Sequence, residues 1–393
     1  MLGIFESHPV QYRAPVYREL QRLCPGKFHV FYATDLSVRG KKDPGFGADV
    51  AWDEPLLDDY PNTILGLESP GTGRGFLSLR GVRLAPIVRE RGLSAVLLTQ
   101  FNYAFDLSVL FQARLLGIPV WIRQETQDKA FLRSGWKRAA RSIFYRFLYA
   151  GVDHAFAIGR LNREHLLHHG IPESRISMAR YCAPDSLSNQ SSSGIARIGT
   201  EQRAALGIVP GELVIGFFGK LIPKKNPLLL AEAACLLGRP VRLLFVGSGE
   251  LEQELRRVTA GLGERGIRTT FAGFVNQSGI APYYAATDIL VLPSRRMGET
   301  WGLVVNEALQ AGCSVALSDA VGCVPEFATL RHCRVFPDND AVALASALSA
   351  LADNPPSNRC WARDFMRDYS TEAAAAAIAD AIDGAHAAGG ARS

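Results

Sequence analysis

Short apolar segments with the length of buried β-strands alternate with helical patterns along both halves of the chain. In the first half, residues 2–5 precede a helix predicted over 14–23, and in the second half residues 213–218 precede a helix predicted over 228–237. Such alternation is typical of βαβ units, in which a continuous apolar run becomes a strand that is covered on both faces. The sequence therefore predicts an α/β fold built on parallel sheets.

The division into domains follows from length and from one polar stretch. A chain of 393 residues suits two domains better than one. Residues 185–194 are small and polar, a composition typical of linkers. We predict a first domain over 1–185, a linker over 186–200 and a second domain over 201–358. Two further segments are predicted to lie outside the sheets: an excursion over the surface at 35–80 and a frayed tail at 386–393.

Two carboxylates eight positions apart mark the stretch 298–307. Glu299 lies in a loop predicted to follow the strand at 289–294, and Glu307 lies on a helix predicted to end before Gly312. In an open parallel sheet, a loop at the carboxyl end of a strand faces the ligand crevice, and the start of a helix offers N–H groups to an anion such as a diphosphate. A carboxylate at Glu307 could accept hydrogen bonds from two vicinal hydroxyls. The alternative is a helix that merely has Glu in its first turns, where the helix dipole favours it.

A basic loop is predicted after the strand at 213–218. Lys220 and Lys225 are five positions apart in it, so they could contact different oxygens of one diphosphate. A solvated basic loop is the alternative interpretation.

Glycines at the ends of two later strands would let the backbone approach a ligand closely. Gly247 and Gly249 follow the strand at 242–246, and a second turn follows the strand at 271–275, where the backbone could contact the edge of a base. The third glycine of the dinucleotide fingerprint is missing, which disfavours a dehydrogenase that depends on it.

The loop after the first predicted strand supplies candidates for ligand contact in the first half. His8 and Gln11 lie in that loop, which a doubly wound sheet places at the mouth of the crevice. These side chains could equally serve only to brace the loop.

Residues 129–149 combine six cations with seven large apolar residues, and the segment contains no acidic residue. A basic amphipathic helix with aromatic residues can lie in an anionic lipid interface. The same pattern is compatible with a helix that packs its apolar face on the sheet and leaves its cations in water.

Composition excludes several classes of protein. An apolar content of 48% with 21% charged residues indicates a globular chain, and no run of 18 apolar residues is present. The N-terminus lacks the pattern of a signal peptide, so we expect a cytoplasmic protein. Seven cysteines without CxxC spacing argue against a disulfide framework or a zinc site. The net charge of +5 is mild, and nucleic acid is not expected as a partner.

Five motifs in the second half stand together in the order seen in one family of enzymes. Residues 213–327 resemble the donor-binding domain of the family-4 retaining glycosyltransferases of the GT-B fold. The matching pieces are Phe218-Gly219-Lys220 with Lys225, Val246-Gly247-Ser248-Gly249-Glu250, Gly273-Phe274-Val275, Glu299 with Glu307, and Gly322-Cys323-Val324-Pro325-Glu326. In the first half, residues 8–15 are similar to the opening of some bacterial members. At 123–125 the chain has Arg-Gln-Glu where members often carry a Phe-His pair, so no catalytic histidine is carried over.

The resemblance implies two Rossmann-like domains that face each other across a cleft, with a C-terminal helix at 359–385 that packs back on the first domain. It implies transfer of a sugar, with retention, from a UDP- or GDP-linked donor to a hydroxyl of a lipid-linked or polysaccharide-precursor acceptor. No cofactor or metal is expected, because Asp338-Asn339-Asp340 resembles a DxD metal motif but precedes a helix and is predicted to cap it.

The resemblance also assigns roles to single residues. Glu299 and Lys225 would be catalytic, Lys220 and Lys225 would hold the diphosphate, and Glu307 would bind the ribose. The other donor-site positions are Gly247, Gly249, Glu250, Phe274, Val275, Thr300, Gly302 and Leu303. The candidates on the acceptor side are His8, Gln11, Arg123 and Glu125.

Two other functions remain open at this point. One is a nucleotide-sugar epimerase on the same fold, which the spacing of Glu299 and Glu307 disfavours. The other is a non-catalytic nucleotide-sugar-binding subunit that reaches a membrane through residues 129–149.

Overall fold

The structure is a computed structural model that describes residues 1–43, 48–50, 52–69 and 75–390, with the side chains of 41–43, 48–50 and 386–390 left out. Its described strands form two parallel sheets and one short antiparallel pair. The strands of the first half are β1 Leu2–Glu6, β2 Phe28–Tyr32, β3 Lys41–Asp43, β4 Ala48–Val50, β5 Asn62–Ile64, β6 Ala95–Leu98, β7 Val120–Ile122, β8 His154–Ala157 and β9 Ile176–Met178. Those of the second half are β10 Val214–Phe218, β11 Val241–Val246, β12 Ile267–Gly273, β13 Ile289–Leu292, β14 Ser314–Ser318 and β15 Cys333–Phe336.

The described helices connect these strands and cover both faces of each sheet. The helices of the first half are α1 Ala14–Leu23, α2 Leu84–Arg91, α3 Ala104–Leu115, α4 Gly135–Tyr149 and α5 Arg160–His168. The second half begins with α6 Ser192–Ala205, α7 Pro227–Ala234, α8 Glu252–Thr259, α9 Ala281–Ala285 and α10 Val304–Gln310. It ends with α11 Val324–Phe327, α12 Ala341–Asp353, α13 Arg363–Met366 and α14 Thr371–Gly390. Within the described chain, we find no helix that is both long and apolar enough to cross a membrane.

The two large sheets have the strand orders β5-β2-β1-β6-β7-β8-β9 and β12-β11-β10-β13-β14-β15. Neighbouring strands pair in parallel, as in β1 with β6 and β10 with β13. Each sheet carries one buried apolar cluster on each face, which explains why β6, β10 and β13 are apolar runs without alternation. The predicted α/β fold with two Rossmann-like domains is therefore confirmed.

The predicted linker 186–200 is not an extended connection. Helix α6 begins at Ser192, whose predecessor Ser191 caps it by accepting a hydrogen bond from the Gly194 N–H at 3.1 Å. The helix packs on the second domain, where Arg203 Nε donates to the Ala286 carbonyl at 2.8 Å. Small polar residues thus form a capped helix start here, since Ser is favoured at that position as well as in linkers.

The predicted surface excursion at 35–80 is wrong in part. Strand β5 extends the first sheet by pairing with β2, and Leu56 and Tyr60 are buried in the cluster below it. Residues 44–47, 51 and 70–74 of this segment lie outside the described residues.

The last helix crosses back to the first domain, as predicted. Its small apolar face (Ala374, Ala375, Ile378, Ala379 and Ile382) lies in the same buried cluster as Ala14, Tyr17 and Leu20 of α1. Outside that cluster, Lys27 and Asp383 form an ion pair at 2.6 Å. The crossing is confined to α14, because residues 359–369 pack on the second domain through Ala362, Met366 and Tyr369.

The tail predicted at 386–393 is helical in its first part. Helix α14 continues through Gly390, since the Ala-rich sequence favours a helix. Residues 391–393 lie outside the described part of the chain.

Candidate functional site

Loops at the carboxyl ends of β10 and β11 pack directly on each other in the second domain. The Leu221 N–H donates to the Ser248 carbonyl at 2.9 Å, next to the glycines predicted to admit a ligand. A Cβ atom at Gly247 would lie 2.0 Å from the Gly219 carbonyl oxygen, and one at Gly249 would lie 2.5 Å from that of Leu221. The glycines therefore have a structural role as well: they bring the loop that carries Lys220 against the neighbouring loop.

Glu299 and Lys225 form a buried ion pair beyond β13. Lys225 Nζ lies 2.6 Å from Glu299 Oε2, and Ser294 Oγ donates to the same oxygen at 3.1 Å. The residue Glu299 is only 7% exposed. Burial alone would raise the pKa of Glu299, but attraction to Lys225 and Lys224 outweighs it and leaves the pKa below its usual value. The carboxyl group is therefore ionised at neutral pH.

Lys224 and Lys220 add positive charge to this pair. Lys224 Nζ donates to the Gly298 carbonyl at 2.8 Å. Burial, together with the neighbouring cations of Lys225 and Lys220, lowers the pKa of Lys224, although Glu299 opposes the shift. Three lysines and one carboxylate thus share one region, which leaves an excess of positive charge beside the loop.

Glu307 is buried on α10 and is held by side chains from three elements. Gln277 Nε2 donates to Glu307 Oε1 at 2.8 Å, and the Tyr284 hydroxyl donates to Oε2 at 2.7 Å. The Tyr12 hydroxyl, from the loop after β1 of the first domain, is a third hydrogen-bond partner. Burial raises the pKa of Glu307, and these three hydrogen bonds counteract only part of that rise. Its carboxylate faces hydroxyl and amide donors, the groups that a ribose diol could replace.

A glycine turn and a backbone hydrogen bond fix the remaining positions of the loop between β13 and α10. Gly302 has φ 106°, and a Cβ atom there would lie 2.6 Å from the Leu292 side chain. The Cys323 N–H donates to the Trp301 carbonyl at 3.1 Å, so the backbone around Thr300 packs on the turn at 322–323. Leu303 immediately precedes the first residue of α10.

The other predicted donor-site residues lie after β11 and β12. Phe274 follows β12, and its ring centroid lies 6.4 Å from that of Trp52 of the first domain. Val275 lies next to it at the same strand end and is partly buried. Glu250 is exposed two residues before α8.

The four acceptor-side candidates differ in their surroundings. Glu125 Oε1 accepts from Arg13 at 2.7 Å, and this cation outweighs burial and lowers the pKa of Glu125. Arg123 donates to the backbone carbonyls of Ala179 and Arg180 at 3.2 and 3.1 Å, which gives it a bracing role.

His8 and Gln11 lie in the loop after β1, as predicted. His8 Nδ1 is 2.8 Å from Ser7 Oγ, and burial lowers the pKa of the imidazole. The Gln11 side chain is buried and hydrogen-bonds the Tyr12 hydroxyl. Both positions are therefore braced within the protein, which agrees with the alternative interpretation of this loop.

The two domains meet at the loop that contains Glu299. The Gly298 N–H donates to the Ala130 carbonyl at 2.8 Å, and Phe131 pairs with Met297 in an isolated antiparallel bridge. Deeper in the interface, Asn306 Nδ2 donates to the Tyr181 carbonyl at 3.1 Å. The first domain therefore borders the proposed donor site directly.

Comparison with known proteins relates the second domain to a family. The family described as "Glycosyl transferases group 1" matches residues 212–354. We refer to this matched region as the group 1 domain. This match begins two residues before β10 and ends one residue after α12, so it covers the whole second sheet.

Individual relatives match part of the chain. A D-inositol 3-phosphate glycosyltransferase of Streptomyces coelicolor is 34% identical over 194 residues, which is 45% of this chain and 42% of that protein. A GDP-mannose-dependent monoacylated alpha-(1-6)-phosphatidylinositol monomannoside mannosyltransferase of Corynebacterium glutamicum is 30% identical over 161 residues, 39% of this chain and 41% of that protein. The matches thus span less than half of these relatives' length.

Solved structures share the fold over almost the full chain. Anabaena Alr3699/HepE in complex with UDP superimposes with a TM-score of 0.71 at 14% identity, covering 98% of this chain and 100% of that one. The same protein in complex with UDP-glucose gives 0.64 at 15% identity, again with 98% and 100% coverage. The group 1 domain and its N-terminal partner therefore form the predicted GT-B fold.

Several residues at the site of the group 1 domain were not predicted. They are Tyr12, Lys224, Gln277, Tyr284 and Ser294. Lys224 is next to the predicted Lys225, and Tyr12 is next to the predicted Gln11. Their positions in the sequence could therefore have indicated both residues. Gln277 and Tyr284 lie in a helical turn and a short helix with no periodic pattern, and only the fold brings them to Glu307.

Proposed function

We propose that this protein is a glycosyltransferase that moves a sugar from a UDP- or GDP-linked donor to a hydroxyl acceptor. The observation that carries the proposal is the buried Lys225–Glu299 pair, with Lys224 and Lys220 beside it at the carboxyl ends of parallel strands. A group 1 domain accounts for this arrangement. The name of the Corynebacterium relative specifies a GDP-mannose donor and the complexes of Alr3699/HepE contain UDP and UDP-glucose, which supports both nucleotide classes.

The chemistry follows from the charges in the site. As the sugar leaves the donor, negative charge develops on the diphosphate, and fixed cations stabilise that charge most when they are already in place. Lys225 and Lys220 would contact the diphosphate, while Glu299 would contact the sugar and hold Lys225 in position. The excess of lysine over carboxylate charge suits a nucleoside diphosphate leaving group, which would take up the proton that the acceptor hydroxyl loses.

The nucleotide would bind along the neighbouring strand ends. Glu307 would accept from the ribose hydroxyls in exchange for hydrogen bonds that Tyr12 and Gln277 now donate. Phe274 and Val275 would lie at the base, and the N–H groups of Thr300, Gly302 and Leu303 at the phosphates or sugar. Retention of configuration, independence from metal and a lipid-linked or polysaccharide-precursor acceptor belong to the proposal by family resemblance.

A panel of nucleotide diphosphate sugars tests this function. We expect one donor to raise the stability of the protein by about 2.7 kcal/mol at 100 times its Kd, read as an increase in Tm, and to be consumed when a suitable hydroxyl acceptor is added. An epimerase would instead interconvert the donor without an acceptor. Stabilisation by donors without turnover across an acceptor panel would favour the non-catalytic subunit.

We also propose that α4 rests on an anionic membrane surface. Its sequence left two interpretations open, and the side chains support the interfacial one: Trp136, Ile143 and Phe147 are 71%, 72% and 60% exposed. The exposed Phe111 of α3, whose ring centroid lies 6.2 Å from that of Phe147, extends the apolar face, and α4 also carries exposed cations. Apolar side chains beside Lys and Arg favour insertion at the headgroup level of anionic lipid.

Replacing Trp136, Ile143 and Phe147 together with Ser should reduce binding to vesicles that contain anionic lipid by about 100-fold or more, because each buried CH₂ contributes about 0.8 kcal/mol. Sedimentation with anionic and with zwitterionic vesicles measures this vesicle binding. Val342 on α12 is 71% exposed on the other domain, so Val342→Ser provides the matched control. Equal vesicle binding by the triple variant and this control would contradict the membrane proposal.

A further inference from the structure

Two histidines and one aspartate meet in the first domain, away from the proposed donor site. Asp128 Oδ2 lies 2.9 Å from His165 Nδ1 and 3.1 Å from His169 Nε2. The histidines are four positions apart at the end of α5, and their side chains are 0% and 2% exposed. Asp128 lies in the segment between β7 and α4, and its side chain is 38% exposed. The end of one helix and a loop therefore meet at one cluster of metal-binding groups.

We propose that Asp128, His165 and His169 form a binding site for Zn²⁺ or a chemically similar divalent transition metal. Their candidate ligand atoms all lie within 4.8 Å of one another. Two imidazole nitrogens and one carboxylate oxygen are a donor set that suits Zn²⁺, with a fourth position left for water. The exposed side of Asp128 provides the route by which the ion enters and the position for that water.

The partners of the outer ring nitrogens fit a metal-bound state. His165 Nε2 lies 3.0 Å from the Tyr149 hydroxyl, and His169 Nδ1 lies 3.4 Å from Ser142 Oγ. With the metal on the inner nitrogens, each outer nitrogen would carry the ring proton and donate it to a hydroxyl oxygen. Tyr149 would then donate its own proton to Gln124 Oε1, which is 3.3 Å away. Metal-ligating histidines are commonly oriented by such contacts of their second nitrogen.

Arg141 limits the affinity of the site but leaves the ligand oxygen available. Its Nε contacts Asp128 Oδ1 at 3.1 Å, whereas both histidines face Oδ2. The carboxylate can therefore bind the ion through one oxygen and the guanidinium through the other. The nearby positive charge makes binding weaker than at a site with an unpaired carboxylate.

The bound ion would fix a segment of the first domain that contacts the second domain. Asp128 is two residues before Ala130, whose carbonyl accepts from the Gly298 N–H beside Glu299. The Lys129 carbonyl accepts from Arg296 of the second domain at 3.2 Å. The proposed role of the metal is thus structural: it ties α5 to the loop that borders the donor site and leads into α4.

Titration of the metal-free full-length protein with Zn²⁺ and Co²⁺ tests the site. We expect one equivalent to bind by calorimetry, Co²⁺ to develop visible absorption of a low-coordinate N/O site, and Tm to rise with Zn²⁺. Tyr149→Phe should weaken Zn²⁺ binding by about 10-fold or more, as is typical for loss of a partner that orients a ligand. Asp128→Ala and His169→Asn should weaken it further.

His168 provides the matched control, because it is exposed and its ring stacks edge-on against His169 without joining the cluster. His168→Asn should bind Zn²⁺ as the unaltered protein does. Asp128 is partly exposed, so Asp128→Ala should fold, and circular dichroism verifies this before titration. Absence of binding by the unaltered protein, or equal binding by His168→Asn and Asp128→Ala, would overturn the proposal.

Discussion

Replacing Glu299 with Gln should lower kcat on the order of 1,000-fold while the protein remains folded. Glu299 is 7% exposed, and its carboxylate is ionised and contacts Lys225 Nζ at 2.6 Å. A neutral amide would remove the charge proposed to face the sugar and would leave Lys225 without its anionic partner. Loss of one preorganised group that stabilises developing charge costs about 100- to 1,000-fold, and Glu299 both contacts the sugar and positions Lys225. Steady-state transfer with the donor found by the panel measures the effect.

Glu264→Gln provides the control for this change, because Glu264 is an exposed glutamate of the same domain outside the site. It should leave kcat unchanged. Donor-induced stabilisation of Glu299→Gln should persist, since the proposed contacts of Glu307 with the ribose and of Lys220 with the diphosphate do not involve Glu299. If Glu299→Gln transferred the sugar at the same rate as Glu264→Gln, Glu299 would have no role in the reaction.

Replacing Lys225 with Ala should lower kcat/KM about 100- to 1,000-fold. The variant loses the cation proposed to meet the leaving diphosphate and leaves the buried Glu299 with Lys224 as its main charged neighbour. Because Lys225 lowers the pKa of Glu299, its removal raises that pKa. The acid limb of the pH profile should therefore move to higher pH, which kcat/KM measured from pH 4 to 9 would show.

The pH dependence of the stability of the folded protein should shift in the same direction as the pH profile of activity. The pKa of Glu299 in the folded protein lies below its ordinary value of 4.5, so the stabilisation from this group is present above that pH and is lost as pH falls through the folded pKa. In Lys225→Ala the loss on acidification should begin at higher pH. Lys225→Arg retains the charge and should recover part of the activity. An unshifted acid limb in the Ala variant would show that the pair does not control the ionisation of Glu299.

The sheets could be predicted from the sequence because their signal is local. Strands such as β10 and β13 are apolar at every position, since both faces are buried, and glycines such as Gly312 mark helix ends by a positive φ. The loops after these strands were placed correctly for the same reason. Neither inference requires knowledge of which strands are neighbours.

The partners of the site residues could not be predicted in this way. The carboxylate of Glu307 is held by Tyr12, nearly three hundred positions earlier, and by Gln277 and Tyr284. No periodic pattern links these positions, because the contact depends on how the two domains meet. Residues 129–149 illustrate a different limit. An amphipathic segment has the same sequence pattern whether its apolar face is buried or exposed, so only the structure distinguishes the two cases.

The contact between Tyr12 and Glu307 has a kinetic consequence. In the proposed site an arriving ribose displaces the Tyr12 hydroxyl, and Tyr12 belongs to the same short loop as His8 and Gln11 on the acceptor side. Occupancy by the nucleotide would thereby reshape the surface that receives the second substrate. Such an enzyme follows a compulsory sequence of substrate addition, in which the donor enters first and the acceptor meets a pocket completed by it.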